Sequence, residues 1–313
     1  TSALAFGGSI PANTAATEEW NANISVGAWV TGGNMNTARG RAGDAGTRSS
    51  ALVFGGETVP GATAATEHYN GTAWAEVNDL NTGTRQLAGT GTTSAALAFG
   101  GETASAAVED KTELWNGYVW TEVNDMNTAR RELQGIGTST AALGFGGNAP
   151  PATAVTESWN GTNWTNVNDM NTARKSLAAA GTQTSGLIYG GQLGDGSVVA
   201  VTESWNGTNW TEVNDLNLNA ATNTGSGVDN TSALNYGGYG VGSPNPNLAN
   251  TELWNGTNWI KVQELNTARD FMAGSKAGTA TAALAAGGGD GPLFNATEEW
   301  YGDGKLTETF TTS

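Results

Sequence analysis

Cysteine is absent from this 313-residue chain, histidine occurs once (His68), and 13 lysines and arginines stand against 29 aspartates and glutamates. Each shortage excludes a class of function. Without cysteine there is no disulfide framework, no thiolate nucleophile and no iron–sulfur cluster. A net charge of −16, with no local cluster of Lys or Arg to offset it, repels nucleic acid. No run of about 18 apolar residues and no basic-plus-apolar leader is found, so membrane insertion is not expected. Strong helix formers never gather, because Gly, Thr and Asn interrupt every window.

What is abundant is glycine, 46 in all, and it is ordered. Glycine pairs begin at Gly7, Gly55, Gly100, Gly146, Gly190, Gly237 and Gly287, spaced 48, 45, 46, 44, 47 and 50 residues apart. Periods of this size suggest one four-stranded propeller blade per repeat. Strand A is a run of small residues (177–182), and strand B is a short apolar run ending in Gly-Gly (142–147). Strand C carries Thr-Glu-x-Trp, and strand D carries Trp-Thr-x-Val. Asn-Gly between C and D, as at Asn160-Gly161, predicts a two-residue type I′ hairpin pairing Trp159 with Thr162 and Glu157 with Trp164.

The first aromatic position holds Trp20, Tyr69, Trp115, Trp159, Trp205, Trp254 and Trp300. The second holds Trp29, Trp74, Trp120, Trp164, Trp210 and Trp259, then Leu306. Their constancy predicts packing between neighbouring blades. The fold expected is all-β: a single seven-bladed propeller over 1–313, with four antiparallel strands per blade and units starting near 1, 49, 94, 140, 184, 231 and 281. Its channel is expected to be lined by the small residues of strand A. Strand A has only six copies, from which one expects the native polypeptide to extend beyond one end.

The Gly-Gly strand followed by two spaced aromatics resembles the kelch repeat and its β-propellers. The narrower form, with Ala96-Leu97-Ala98-Phe99-Gly100-Gly101 and Thr202-Glu203-Ser204-Trp205-Asn206-Gly207, resembles the low-complexity kelch-like arrays of marine bacteriophage structural and tail proteins. The resemblance implies a virion component (tail fibre, tail or capsid surface) within a symmetric assembly, recognising a host-surface glycan or another virion protein. A secreted or cell-surface carbohydrate-binding module of bacterial origin is the competing class, and a glycan hydrolase on the same fold is a third. Copper oxidases with kelch-like blades need a Cys–Tyr crosslink and histidine ligands, which this composition excludes.

Charged residues also recur. A glutamate stands in each repeat (Glu18, Glu67, Glu113, Glu157, Glu203, Glu252, Glu298). An arginine stands in most (Arg39, Arg85, Arg130, Arg174, Arg269), and the sixth repeat lacks it. A repeated Arg–Glu pair within the scaffold is expected, because scaffolding follows repeat symmetry and ligand sites break it. Trp115, Trp120, Trp159, Trp164, Trp205, Trp210, Trp254, Trp259, Glu157 and Arg174 are accordingly read as structural. Acidic glycine turns at Asp195, Asp290 and Asp303 offer one carboxylate each, too few oxygens for calcium. No catalytic residue, metal or cofactor is assigned, and the protein is expected not to be an enzyme. Binding is expected in the variable B–C loops, at Tyr239, Asn245, Asn247, Asp195 and Asp290, because variable loops on a constant scaffold carry specificity.

Overall fold

The computed structural model describes residues 27–59, 61–241, 246–289 and 292–302. Five four-stranded antiparallel sheets follow one another along the chain. Blade 1 runs Gly43–Thr47, Ser50–Phe54, Thr66–Tyr69 and Trp74–Val77, from inner to outer edge. Blades 2 to 5 repeat this with inner strands Ala88–Thr92, Gln134–Thr138, Ala178–Thr182 and Thr224–Asp229. Their outer strands are Trp120–Glu122, Trp164–Asn166, Trp210–Val213 and Trp259–Lys261.

The sixth blade joins the two ends of the described chain. Its middle strands are Ala282–Ala286 and Thr297–Tyr301, and its outer strand is Ala28–Thr31. Trp29 lies opposite Trp300 in that ladder. Its inner edge is marked by the antiparallel bridge between Ala273 and Ala286. The described residues therefore close a ring of six blades, not the seven expected. The first and seventh sequence repeats contribute to one blade, and a strand position already held by Trp29 has no room for a second occupant. The rest of the first repeat (3–20) and the last residues (303–313) lie outside the described residues.

Small side chains permit the tight inner circle. A Cβ on Gly89 would sit 2.5 Å from the Asp44 carbonyl oxygen of the preceding blade. Gly55 and Gly56, the pair ending a B strand, both take positive φ (63° and 102°), and a Cβ on Gly55 would meet the Thr84 carbonyl oxygen at 2.4 Å. Only glycine fits that combination of backbone and space.

The tryptophans join blade to blade. Each outer-strand indole donates to the threonine that opens the third strand of the preceding blade: Trp74 to Thr297, Trp120 to Thr66, Trp164 to Thr112, Trp210 to Thr156, Trp259 to Thr202 and Trp29 to Thr251 (3.0–3.2 Å). The six bonds form a closed circle. Five of these indoles rest on an aromatic ring of the preceding blade, as Trp120 on Phe54, Trp164 on Phe99 and Trp29 on Tyr236, whereas Trp74 meets Tyr69 of its own blade. The third-strand tryptophans Trp115, Trp159, Trp205 and Trp254 donate to a backbone oxygen in the inner turn of their own blade. In blade 1 Tyr69 stands in that series, and its hydroxyl donates to Glu299 of blade 6 at 2.6 Å. Burial and that carboxylate push the phenol up to about 12.

Two local details differ from the sequence reading. The Asn-Gly segment is a four-residue connection, with Trp159 opposite Trp164 and Glu157 opposite Asn166. The Asn160 carboxamide oxygen accepts the N–H groups of Thr162 and Asn163, an Asx-type closure that outweighs the tighter hairpin. At the seam between blades 6 and 1 the inner edge is not uniformly small. Lys276 stands where other blades have Gly46, Gly91, Gly137, Gly181 and Gly227, and it is buried beside buried Asp44. Burial pushes the Asp44 carboxyl up, opposed by Lys276 and by the Gly274 N–H that donates to it at 2.7 Å. Among the described residues no helix is long and apolar enough to cross a membrane.

Candidate functional site on the loop rim

The recurrent charges fall into two sets. Arg39, Arg130, Arg174 and Arg269 are buried, and each donates to the glutamate of the blade whose inner strand it precedes: Arg39 to Glu67 (2.8 Å), Arg130 to Glu157 (3.1 Å), Arg174 to Glu203 (2.8 Å) and Arg269 to Glu298 (3.0 Å). Glu157 and Arg174 thus belong to neighbouring pairs rather than to one. Burial lowers each guanidinium from its ordinary value, while the facing carboxylate raises it.

Arg85 does not belong to this series. Thr84 holds the buried position, and Arg85, one residue on, turns to the surface and binds Glu57 (2.6 Å) and Glu102 (2.6 Å). In the sixth repeat Ala220 replaces the arginine, and the Asn250 amide donates to Glu252 instead (2.8 Å).

The second set lies on the rim that carries the B–C and D–A loops. Two residues beyond each buried position, the chain takes positive φ without glycine: Arg41, Gln86, Glu132, Ser176, Thr222 and Phe271, all between 52° and 58°. A left-handed backbone costs an L-residue about 1–2 kcal/mol, and most for β-branched or bulky side chains such as Thr222 and Phe271. The reason for tolerating it is visible. Each of the six N–H groups donates to the carbonyl oxygen of the equivalent residue one blade back, at 2.7–3.2 Å, and Arg41 closes the circle on Phe271. The six side chains surround a cup of about 60 Å³ on the propeller axis, floored by Leu87, Leu133, Leu177, Met272, Ala42 and Asn223. That is room for about four to six water-sized groups. Gln86 Oε1 and Asn223 Oδ1 line it without a hydrogen-bond partner.

Outside the cup runs a second circle of short antiparallel pairs: Gly40 with Glu57, Arg85 with Glu102, Arg131 with Asn148, Lys175 with Gln192, Ala221 with Tyr239, and Asp270 with Gly289. Half of it is a continuous ion-pair arc. Arg41, Glu57, Arg85, Glu102, Arg131, Glu132 and Lys175 alternate in sign, each bound to the next. Among the described residues no comparable ion-pair chain runs through the other half. Here a groove of about 360 Å³ opens between Glu57, Thr58 and Val59 on one side and Asn247, Asp270, Phe271 and Leu293 on the other. Arg41 lies over the Phe271 ring, 4.1 Å from its centre, and borders both concavities.

Of the binding residues expected from sequence, Asn247 lines the groove and donates to the Gly289 carbonyl oxygen at 2.9 Å. Tyr239 sits half-buried in the second circle, its phenol pushed up by burial. Asp195 is at an exposed loop tip, bonded to Ser197 N–H and outside both concavities. Asn245 and Asp290 lie outside the described residues. Among the described residues no three His, Asp or Glu side chains converge as a metal site. The sequence reading does not single out the six cup residues, although the sequence carries a signal: this position holds a different residue type in each of the six copies.

A closed ring of six blades, invariant inside and variable on one rim, defines a β-propeller. Compared with protein-family models, the chain matches none, and no curated protein matches it.

Proposed function

We propose that this propeller is a non-enzymatic recognition module that binds a host-surface glycan through the loop rim, as a component of a phage virion carried on a tail fibre, tail or capsid surface. The observation that carries the reading is the contrast between the rims. One bears two adjoining concavities where residue types differ from blade to blade. The other carries near-identical Asn-Gly turns closed by their own side chains in blades 1 to 5. The groove suits a saccharide in its size, its aromatic wall at Phe271 and its mixture of donors and acceptors at Arg41, Glu57, Asn247 and Asp270. The kelch-like repeat style supports the virion setting; a bacterial cell-surface adhesin is the alternative with the same rim chemistry. A glycan-hydrolase reading would draw on Glu57 and Asp270, two carboxylates on one groove. Glu57, clasped by Arg41 and Arg85, suits a fixed anion better than a proton donor.

Glycan-array binding tests this. The wild type is expected to retain a saccharide that Phe271→Asn, which keeps a residue tolerant of positive φ, binds at least tenfold more weakly at unchanged melting temperature. Tyr118→Ala, exposed on the opposite rim, should bind as the wild type does. Retention by Phe271→Asn together with loss in Tyr118→Ala would place recognition elsewhere, and release of shortened sugars would end the non-enzymatic reading.

A further inference from the structure

The four buried arginines define a socket whose acceptors belong to the blade. In blade 4, Arg174 Nη1 donates to the carbonyl oxygens of Gly190 (2.7 Å) and Val201 (2.6 Å), and Nη2 to Glu203 Oε1 (2.8 Å). In blade 3, Arg130 meets Gly146, Val155 and Glu157 in the same way. Blade 5 lacks the arginine and compensates through Asn250, as described above.

Blade 2 lacks it and has no such substitute. Thr84 stands at the arginine position and turns its hydroxyl to the Thr82 carbonyl oxygen. The corresponding acceptors remain: Glu113, Gly100 and Lys111, the last two joined by the N–H···O bond found in the other blades. The Glu113 carboxylate accepts from Asn81 N and Nδ2, both on Oε2 (2.9 and 2.7 Å). No described cation lies within ion-pair distance of Glu113, and Lys111 extends instead to Asp125. Glu113 is 6% exposed, against 4% for Glu298 and 0% for Glu67, Glu157, Glu203 and Glu252, so solvent reaches it. A carboxylate this deep without a counter-charge is costly.

We propose that the blade 2 socket, formed by Glu113 Oε1 with the Gly100 and Lys111 carbonyl oxygens, binds a guanidinium group supplied from outside the chain. Its acceptors are those that hold a planar, multiply donating cation in four sister blades, a geometry that a spherical ion or a single ammonium matches poorly. The proposal is independent of the loop-rim reading.

Thermal melts with guanidinium chloride up to about 20 mM, against NaCl, KCl and methylammonium chloride at equal ionic strength, decide it. Guanidinium alone is expected to raise the melting temperature of the wild type, by about 2 °C. Thr84→Arg, which places a guanidinium in the socket covalently, is expected to melt higher than the wild type and to lose the response. Glu113→Gln keeps the shape and should also lose it, which preserves the test if Thr84→Arg does not fold. No rise in the wild type, an equal rise with the other cations, or an undiminished rise in Glu113→Gln would overturn the proposal.

Discussion

Arg174→Met is expected to destabilise the protein by about 3–5 kcal/mol, the scale of breaking one side of a buried ion pair. The guanidinium is fully buried and makes three hydrogen bonds, two to carbonyl oxygens and one to Glu203. Methionine retains much of the stem volume but leaves the Glu203 carboxylate, at 0% exposure, with only the Asn171 and Thr172 donors. A loss of that size is a large share of the about 5–15 kcal/mol that holds a typical protein folded. Lys261→Ala is the contrast. Its ion pair with Glu264 is exposed on both sides (62% and 46%), where screening and side-chain entropy leave about 1 kcal/mol or less. Urea midpoints at neutral pH measure both. Equal losses would mean that a buried pair holds its blade no more firmly than an exposed one does.

The second large effect is expected at Trp29. Trp29→Ala should cost about 3–5 kcal/mol, as for other buried large-to-small changes. Three contacts converge on this residue: the ladder to Trp300, the indole bond to Thr251 at 3.1 Å and the ring of Tyr236, whose centre is 4.9 Å away. The first fastens the outer strand into blade 6, and the other two hold it against blade 5. Amide exchange should accelerate most in residues 297–301, the strand that pairs with Ala28–Thr31. Unchanged protection there would mean that the N-terminal strand does not close the ring.

Much of this architecture was legible in the sequence. The glycine-pair period gave the blade, and the aromatic constancy identified residues that sit between or within blades. The blade count is present too, in the copy numbers of the strands. Strand A occurs six times and the second tryptophan six times, against seven copies of strands B and C. Six is the number of inner and outer edges that the ring requires. In sequence order the shortage implies a missing strand, because that order hides that Trp29 and Trp300 share a blade. Thr84 and Arg85 were confused for a related reason: a one-residue offset is invisible in a loosely kept motif, yet it separates a buried guanidinium from a surface ion pair. The cup was illegible because its residues are defined by backbone conformation. Positive φ at Thr222 or Phe271 runs against local preference and is imposed by the circle of hydrogen bonds between blades.

The cup, the groove and both circles exist only if Ala28–Thr31 closes a ring of six. The chain has no cysteine, so a double variant Ala28→Cys, Tyr301→Cys carries the only two thiols, on residues directly opposite in the antiparallel ladder. Such positions bring Cβ atoms to about 4.5–5.5 Å, near the span of a disulfide. Mild oxidation of the dilute protein should form an intramolecular disulfide in nearly every molecule, seen as thiol loss without dimer and as one cross-linked peptide pair. Thiols that stay reduced, or that join only between chains, would contradict the six-bladed closure.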